Sequence, residues 1–260
     1  MAKAIIGVPI NAKTDYILDR FLKNQEEIQK AFNRETETVF ATEDELFAQK
    51  LKNVLKNYKI NSNVITFKPN RPKDAKDRIW NIVSARNAIR EYFLESDADY
   101  LIFMDADMIF DPEIVNKLIK IAEKGYDVVY NGYLDRGNPN GINLTGFGGT
   151  LIKRWVMEKV RFRCKERNVR VIDEGVFFEF DLVRIGAKVF RGFISYSEHH
   201  DPKRPLSVCY PRALKLSERI RNNPHFRFLF HLISIPLCYD ILWHLSMNLK
   251  TKNHTKKPLY

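Results

Sequence analysis

The stretch Asp99-Tyr100-Leu101-Ile102-Phe103-Met104-Asp105-Ala106-Asp107-Met108-Ile109-Phe110-Asp111-Pro112 decides how the chain is read. Tyr100 to Met104 predict a hydrophobic strand, and two carboxylates one residue apart follow it. Asp111-Pro112 then supplies an N-cap and a first-turn proline for a helix over Pro112 to Glu123, which Gly125 stops. A strand ending in acids and leading into a capped helix places the pair at the carboxyl edge of a parallel sheet, where open α/β folds bind ligands. Hard oxygen donors at such an edge suit Mg²⁺ or Mn²⁺, which commonly hold a diphosphate as well. An isolated acid-x-acid reads equally well as two solvated residues in a turn, and the ordered strand and helix around this one favour the metal.

Outward from that stretch, short β-rich runs alternate with helical patterns, the signature of βαβ units and a mostly parallel sheet. Strands are expected at Ala4 to Val8, Thr38 to Ala41, Asn63 to Phe67 and Asp127 to Asn131. Thr42 with Glu45 is a capping-box pattern that opens a helix over Glu43 to Asn57. Ile79 to Leu94 carries apolar residues near a 3.6 period, with Ser84, Arg86, Asn87 and Arg90 among its polar positions. Gly146, Gly148 and Gly149 lie in an expected strand from Asn143 to Ile152 and imply close backbone approach or a bend. A helix over Lys153 to Arg161, a helix ending near Gly186 and a strand at Lys188 to Arg191 follow, and Asp201 to Pro211 reads as a loop.

Composition narrows the classes. Among 260 residues, 45% are apolar and 29% charged, which excludes a collagen-like or largely disordered chain. The net charge of +11 is uneven: residues 203–260 hold eleven Lys/Arg against two acids, whereas residues 1–202 hold 32 against 30. The globule is therefore nearly neutral and its C-terminal segment basic. Cys164, Cys209 and Cys238 are odd in number and form no CxxC, so neither a disulfide framework nor a zinc ribbon is indicated. The apolar stretch ahead of Asn11 is too short for a signal peptide, and Phe226 to Met247 is too interrupted by polar residues to span a bilayer. The expectation is a cytoplasmic protein.

These ordered segments resemble the GT-A glycosyltransferases of the family 2 type, over roughly residues 3–200. The resemblance implies transfer of a sugar from a nucleotide diphosphate. Ile5-Ile6-Gly7-Val8-Pro9-Ile10-Asn11 matches the family's opening strand, whose turn contacts the base, which implicates Pro9 and Asn11. Glu43 or Asp44 stands where an acid near the base and ribose is common. Ser84-Ala85-Arg86-Asn87 is similar to a helical segment lying against the nucleotide. Asp105-Ala106-Asp107 matches the metal-binding DxD, and Gly146-Phe147-Gly148-Gly149-Thr150 the Gly-rich strand beside the donor sugar, with Gly149 among its contacts.

The chain departs from that pattern in its next segment. Relatives often show Glu-Asp twelve and eleven residues before a glycine, one of the two acids being the base that deprotonates the acceptor. Counting back from Gly186 gives Glu174 and then Gly175, so the second acid is missing. Asp173 lies just ahead and Asp181 further on, which leaves Glu174 or Asp173 as the expected base and a shifted register through Asp181 open. His199 falls thirteen residues after Gly186, where relatives carry a metal-coordinating histidine, with His200 as its competitor. The resemblance implies inversion at the anomeric carbon.

Other classes fit less well. A haloacid-dehalogenase-type phosphatase places its DxD near the domain start, whereas about a hundred residues precede Asp105 here. A nucleotidyltransferase favours a Gly-rich basic loop after its first strand, of which Asn11-Ala12-Lys13-Thr14 is a poor version. A non-catalytic basic protein binding a membrane surface or nucleic acid would account for the charged tail but leave Asp105, Asp107 and Glu174 unexplained.

The expected organisation is a GT-A α/β domain over residues 1–205 with a central, mostly parallel sheet, and a basic, amphipathic helical extension over 206–260. In that extension Arg227, His231 and Ser234, then Asp240, His244 and Asn248, recur at helical spacing opposite Phe226, Phe230, Ile233, Leu237, Ile241, Trp243 and Leu245. Basic residues flank them within 219–257, a pattern that fits an interfacial anchor and an acceptor that is lipid-linked.

Overall fold

The structure is a computed structural model, and it describes residues 3–32, 34–72, 78–138, 141–167, 170–172, 174–216 and 218. The chain divides into two compact units, Met1–Leu214 and Lys215–Tyr260. The expected tail helices from Phe226 onward, and Asp173, lie outside the described residues.

The first unit is built on a seven-stranded sheet. Strands β1 (Ala4–Pro9), β2 (Thr36–Thr42) and β3 (Ser62–Thr66) pair in parallel, and β4 (Tyr100–Phe103) lies parallel to β1 on its other side. Three short strands, β5 (Met108–Phe110) and, later, β7 (Tyr133–Leu134) with its antiparallel partner β8 (Ile142–Asn143), lie outside the sheet; β6 (Val128–Asn131) belongs to it. The strand β9 (Thr150–Lys153) is inserted antiparallel between β4 and β6. After the hairpin β10 (Lys165–Arg167) and β11 (Arg170–Ile172), β12 (Val189–Gly192) closes the sheet parallel to β6. Leu101, Ile102 and Phe103 are all fully buried, because helices cover both faces of a parallel sheet and its central strands must be apolar on each side.

Helices α1 (Leu18–Ala31), α2 (Glu45–Leu55), α3 (Ile79–Glu95), α4 (Ile114–Ala122), α5 (Arg154–Lys159) and α6 (Glu174–Arg184) supply those layers. One core gathers Ile6, Val8, Phe21, Leu51, Leu118 and Leu151, and the other Ile5, Val39, Ile89, Phe93, Leu101 and Phe178. Alternate residues of β1 thus feed opposite layers. Gly7 sets the spacing of one layer: a Cβ there would stand 2.5 Å from the Ile89 side chain, so α3 reaches the sheet only because this position has none.

Several local expectations are corrected. The cap of α2 is Asp44, whose Oδ1 accepts from the Phe47 amide at 3.0 Å, and Thr42 instead accepts from the Asp44 amide. Helix α4 begins at Ile114, after a turn in which Asp111 accepts from the Glu113 and Ile114 amides, so Pro112 precedes the helix rather than opening it. The expected Gly-rich strand splits into β8 and β9 around a glycine turn, with Gly149 in the left-handed region at φ 84°. The segment read as a loop after Asp201 contains β14 (Ser207–Cys209), which with β5 and β13 (Ser197–His199) makes a three-stranded sheet in the order β14-β13-β5. The first unit runs to Leu214.

That small sheet positions the acids. Met104 donates to the Gly7 carbonyl at the end of β4, Asp105 turns the chain through a Met108 N–H to Asp105 C=O bond, and β5 begins at once. Asn24 of α1 holds β5 from the side: its Nδ2 donates to the Phe110 carbonyl at 2.7 Å and its Oδ1 accepts from the Phe110 amide at 2.9 Å. Asn131, at the end of β6, accepts from the Ile194 and Ser195 amides at 3.0 Å each and so aims the following segment into β13.

Candidate active site

The antiparallel register of β5 with β13 sets Met108 opposite His199, and the His200 amide donates to the Asp107 carbonyl at 2.9 Å. This pairing carries His199 across about ninety residues of sequence to the DxD turn. Asp107 is buried, with its side chain 7% exposed, and the His199 Nε2 lies 3.6 Å from its Oδ1. The Nδ1 of His199 stands 3.1 Å from the Leu134 carbonyl, while the Nε of Arg136 donates to Nε2 at 2.8 Å. Those two partners fix the tautomer: the proton is on Nδ1 and the lone pair on Nε2. The Arg136 guanidinium also contacts the Asp107 carboxylate. Burial pushes His199 below its ordinary value. Burial, reinforced by the charge of Asp105, raises Asp107 to about 7, and Arg136 only partly offsets it.

A second chain of charge joins the first acid to the expected base. Arg86, in the middle of α3 and 5% exposed, contacts Glu174 with one nitrogen and approaches the Asp105 Oδ1 at 3.4 Å with another. Its guanidinium lies 4.1 Å from the Phe147 ring centre, a cation–π seat within the aromatic cluster of Phe103, Phe147, Phe162 and Phe178. Glu174 is the first residue of α6, so the helix N-terminus adds to the stabilisation of its negative charge. Gly148 borders the same place, where a Cβ would meet the Met108 sulfur at 2.4 Å and the Asp105 Oδ2 at 3.3 Å.

The structure therefore brings together Arg86, Asp105 and Glu174, and separately Asp107 and His199. Asp181 is committed elsewhere: Arg163 grips both its oxygens and Arg184 lies 2.9 Å away. His200 is also engaged apart from the DxD side chains, with its Nε2 2.7 Å from Glu198. Pro9 and Ala41 stand side by side at the ends of β1 and β2, but the neighbouring polar residues make local bonds. Asn11 accepts from the Lys13 amide, Glu43 from Asn81 at 3.0 Å, and Asp44 from the Phe47 amide. Arg136 is not singled out by the sequence. Arg136 sits in a Gly/Asn/Pro-rich loop, and no pattern around it announces that its side chain turns back onto an acid nearly thirty residues earlier.

Among the described residues no set of three or more His, Cys, Asp and Glu side chains is placed to hold a metal. Nevertheless the donor types fit a hard divalent ion. The buried Asp107 Oδ1 has no hydrogen-bond donor among the described residues, and it faces the His199 Nε2, whose lone pair accepts from Arg136. Their 3.6 Å separation can be bridged by one cation with bonds of about 2.1 Å.

Residues 84–171 match the model of the glycosyl transferase family 2, a span that includes Arg86, both acids of the DxD and the glycine turn. The mannosyltransferase PcManGT from Pyrobaculum calidifontis, solved in complex with GDP-Man and Mn2+, superposes with a TM-score of 0.51 at 12% identity, covering 89% of this chain and 61% of that one. The chain has the GT-A fold, and its residues 84–171 are similar to the glycosyl transferase family 2. Residues 1–349 of TarS from S. aureus in complex with UDP-GlcNAc match at a TM-score of 0.49 and 13% identity, over 83% of this chain and 60% of that one. A197 from STIV matches at 0.47 and 18%, over 83% of this chain and 98% of its own. This GT-A domain thus spans about three-fifths of the mannosyltransferase and TarS chains it resembles. No curated protein sequence matches the chain.

Behind His199 the GT-A domain holds β13 by a polar cluster that can be tested through pH. The Glu198 Oε2 accepts from Arg20 at 2.7 Å and lies 2.7 Å from His200, while its Oε1 accepts from Tyr196 at 2.6 Å. Burial opposes ionisation of Glu198, but the bonds from Tyr196 and His200 and the charge of Arg20 outweigh it and hold the carboxyl below its ordinary 4.5. A depressed native value gives stability that is complete above the unfolded value and is lost as the pH falls through the native one. Glu198→Gln is expected to cost roughly 1–3 kcal/mol at neutral pH. In calorimetric unfolding, the gap to the parent protein should close as the pH falls below 4.5.

Proposed function

We propose that the domain transfers a sugar from a nucleoside diphosphate donor to an acceptor hydroxyl with inversion, using Glu174 as the base. The observation that carries this reading is the single guanidinium of Arg86 joining Glu174 to Asp105. One buried cation thereby fixes the distance between the acid that takes the acceptor proton and the acids that face the leaving group. Asp105, Asp107 and His199 would hold Mn²⁺ or Mg²⁺, which when bound supplies Lewis-acid stabilisation of the departing diphosphate. In the transfer, Glu174 accepts the acceptor O–H proton as that oxygen bonds to the anomeric carbon. The bond from that carbon to the diphosphate oxygen breaks, and the leaving group departs with the electron pair. Displacement from the face opposite the leaving group accounts for inversion. Pro9, Asn11 and Glu43 or Asp44, at the ends of β1 and β2, are the proposed walls for the nucleotide, and Gly149 keeps the glycine turn open beside the sugar.

The basic tail is part of the same proposal. Residues 219–257 would lie on an anionic membrane surface and bring the domain to a lipid-linked acceptor at the cytoplasmic face. Among the described residues no helix is long and apolar enough to cross a membrane. Replacing Lys250, Lys252, Lys256 and Lys257 together by Glu should abolish flotation of the full chain with phosphatidylserine vesicles. Unchanged flotation would remove the tail from this role.

Two substitutions separate binding from transfer. Asp107→Ala is expected to abolish Mn²⁺-dependent binding of uridine and guanosine diphosphates in calorimetry. Glu174→Gln should retain that binding and lose transfer by a factor of about 10²–10⁴, the usual contribution of a general base. Normal turnover in Glu174→Gln would assign the base elsewhere.

A further inference from the structure

The contact between Arg136 and the DxD side chain has a chemical consequence. Arg136 lies on the turn after β7, and its guanidinium does two things at once: it contacts the Asp107 carboxylate and donates to the bare Nε2 of His199. It reaches Asp107 through Oδ2 and leaves Oδ1 open, but on His199 it occupies the same Nε2 lone pair that a divalent cation would use. That lone pair can serve one partner at a time, and a guanidinium cannot lose its charge in a protein, so it and the ion compete for His199 and repel each other across Asp107.

The backbone beneath Arg136 is built to stay in place. The Gly137 amide donates to Ser207 Oγ at 2.9 Å, and that hydroxyl donates to the Asp135 carbonyl at 2.8 Å. The Asp135 amide donates to the Gly141 carbonyl, and Arg204 donates to the carbonyl of Arg136 itself at 3.4 Å. Both flanks are therefore anchored to one another or to β14. What can move is the side chain, which is 34% exposed.

We propose that Arg136 is a resident cation of the donor site: it holds Asp107 and His199 in the state a metal requires, yields them when the metal enters, and then pairs with the donor's diphosphate. This inference rests on the metal reading of Asp105, Asp107 and His199 given above. Before loading, the arginine compensates the charge of a buried carboxylate and keeps the His199 proton on Nδ1, so no ligand has to rotate or tautomerise when the ion arrives. After loading, a planar guanidinium with paired donors, tethered one side-chain length away, suits bidentate contact with phosphate oxygens. Metal and nucleotide binding become coupled through one residue, since the group that the metal expels is the group the diphosphate recruits.

The coupling gives opposite signs in two measurements, which a merely structural role cannot produce. Mn²⁺ alone, titrated into the full chain at about pH 8.5 where carboxylates are ionised, should bind Arg136→Ala at least about fivefold more tightly than the parent. Uridine or guanosine diphosphate, whichever the parent binds, should bind the same variant at least about fivefold more weakly when Mn²⁺ is saturating. Arg136→Gln guards against a local folding defect and should behave as the Ala variant does, whereas Arg136→Lys should fall between them and the parent in both titrations. Weaker or unchanged Mn²⁺ binding in Arg136→Ala and Arg136→Gln, with the parent binding Mn²⁺ normally, overturns the resident-cation role and leaves the metal site standing. Absence of Mn²⁺ binding in the parent overturns both.

Discussion

Charge buried at the carboxyl edge of a parallel sheet has to be compensated, and in this protein two arginines do so in two separate ways. Arg86 ties Glu174 to Asp105 from within an aromatic cluster, and Arg136 covers Asp107 and His199 from a loop. A carboxylate taken out of water without a partner would either protonate or unfold its surroundings. Asp107 shows how close that balance runs: even with a guanidinium on it, burial and the neighbouring Asp105 raise it to about 7. The native arrangement keeps a guanidinium beside each of these three acids.

Much of the scaffold can be understood as what holds those two arginines opposite their acids. Arg86 reaches the DxD because α3 lies close to β1, and α3 lies close because residue 7 is glycine. His199 reaches Asp107 because β13 pairs with β5 in a register fixed at both ends. Asn24 grips the Phe110 backbone on one side, and Asn131 grips the Ile194 and Ser195 amides on the other. The Arg20–Glu198–His200–Tyr196 cluster stiffens the same strand from its outer face. A chain of ordinary hydrogen bonds thus sets the position of each of these side chains.

The sheet was legible because its signal is strong and local. Apolar runs such as Tyr100 to Phe103 predict strands, whereas the DxD, expected to lead from a strand into a helix, leads instead into the short strand β5. Glu174 and His199 were reached by counting from Gly186, which indeed terminates α6 in the left-handed region at φ 71°. Less legible was whatever depends on tertiary pairing. The three residues of β5, β13 and β14 are too short to carry a period, and Thr42 and Asp44 are both acceptable caps until the backbone chooses. Helix α1 was not assigned, although its buried Phe21, Leu22, Gln25 and Ile28 follow helical spacing, because no preceding cap announces it: Ile17 makes no side-chain cap bond. Arg136 was invisible for a similar reason, since its partners come from distant parts of the chain.

The central claim is that Asp107 and His199 form one side of a cation site that also holds the donor's diphosphate. Pulsed electron paramagnetic resonance of Mn²⁺ bound to the full chain with uridine or guanosine diphosphate tests it directly. The account predicts a directly coordinated nitrogen that disappears in His199→Ala, together with phosphorus coupling that persists there and is lost in Asp107→Ala. Bound Mn²⁺ whose nitrogen and phosphorus couplings are the same in the parent and both variants would contradict it.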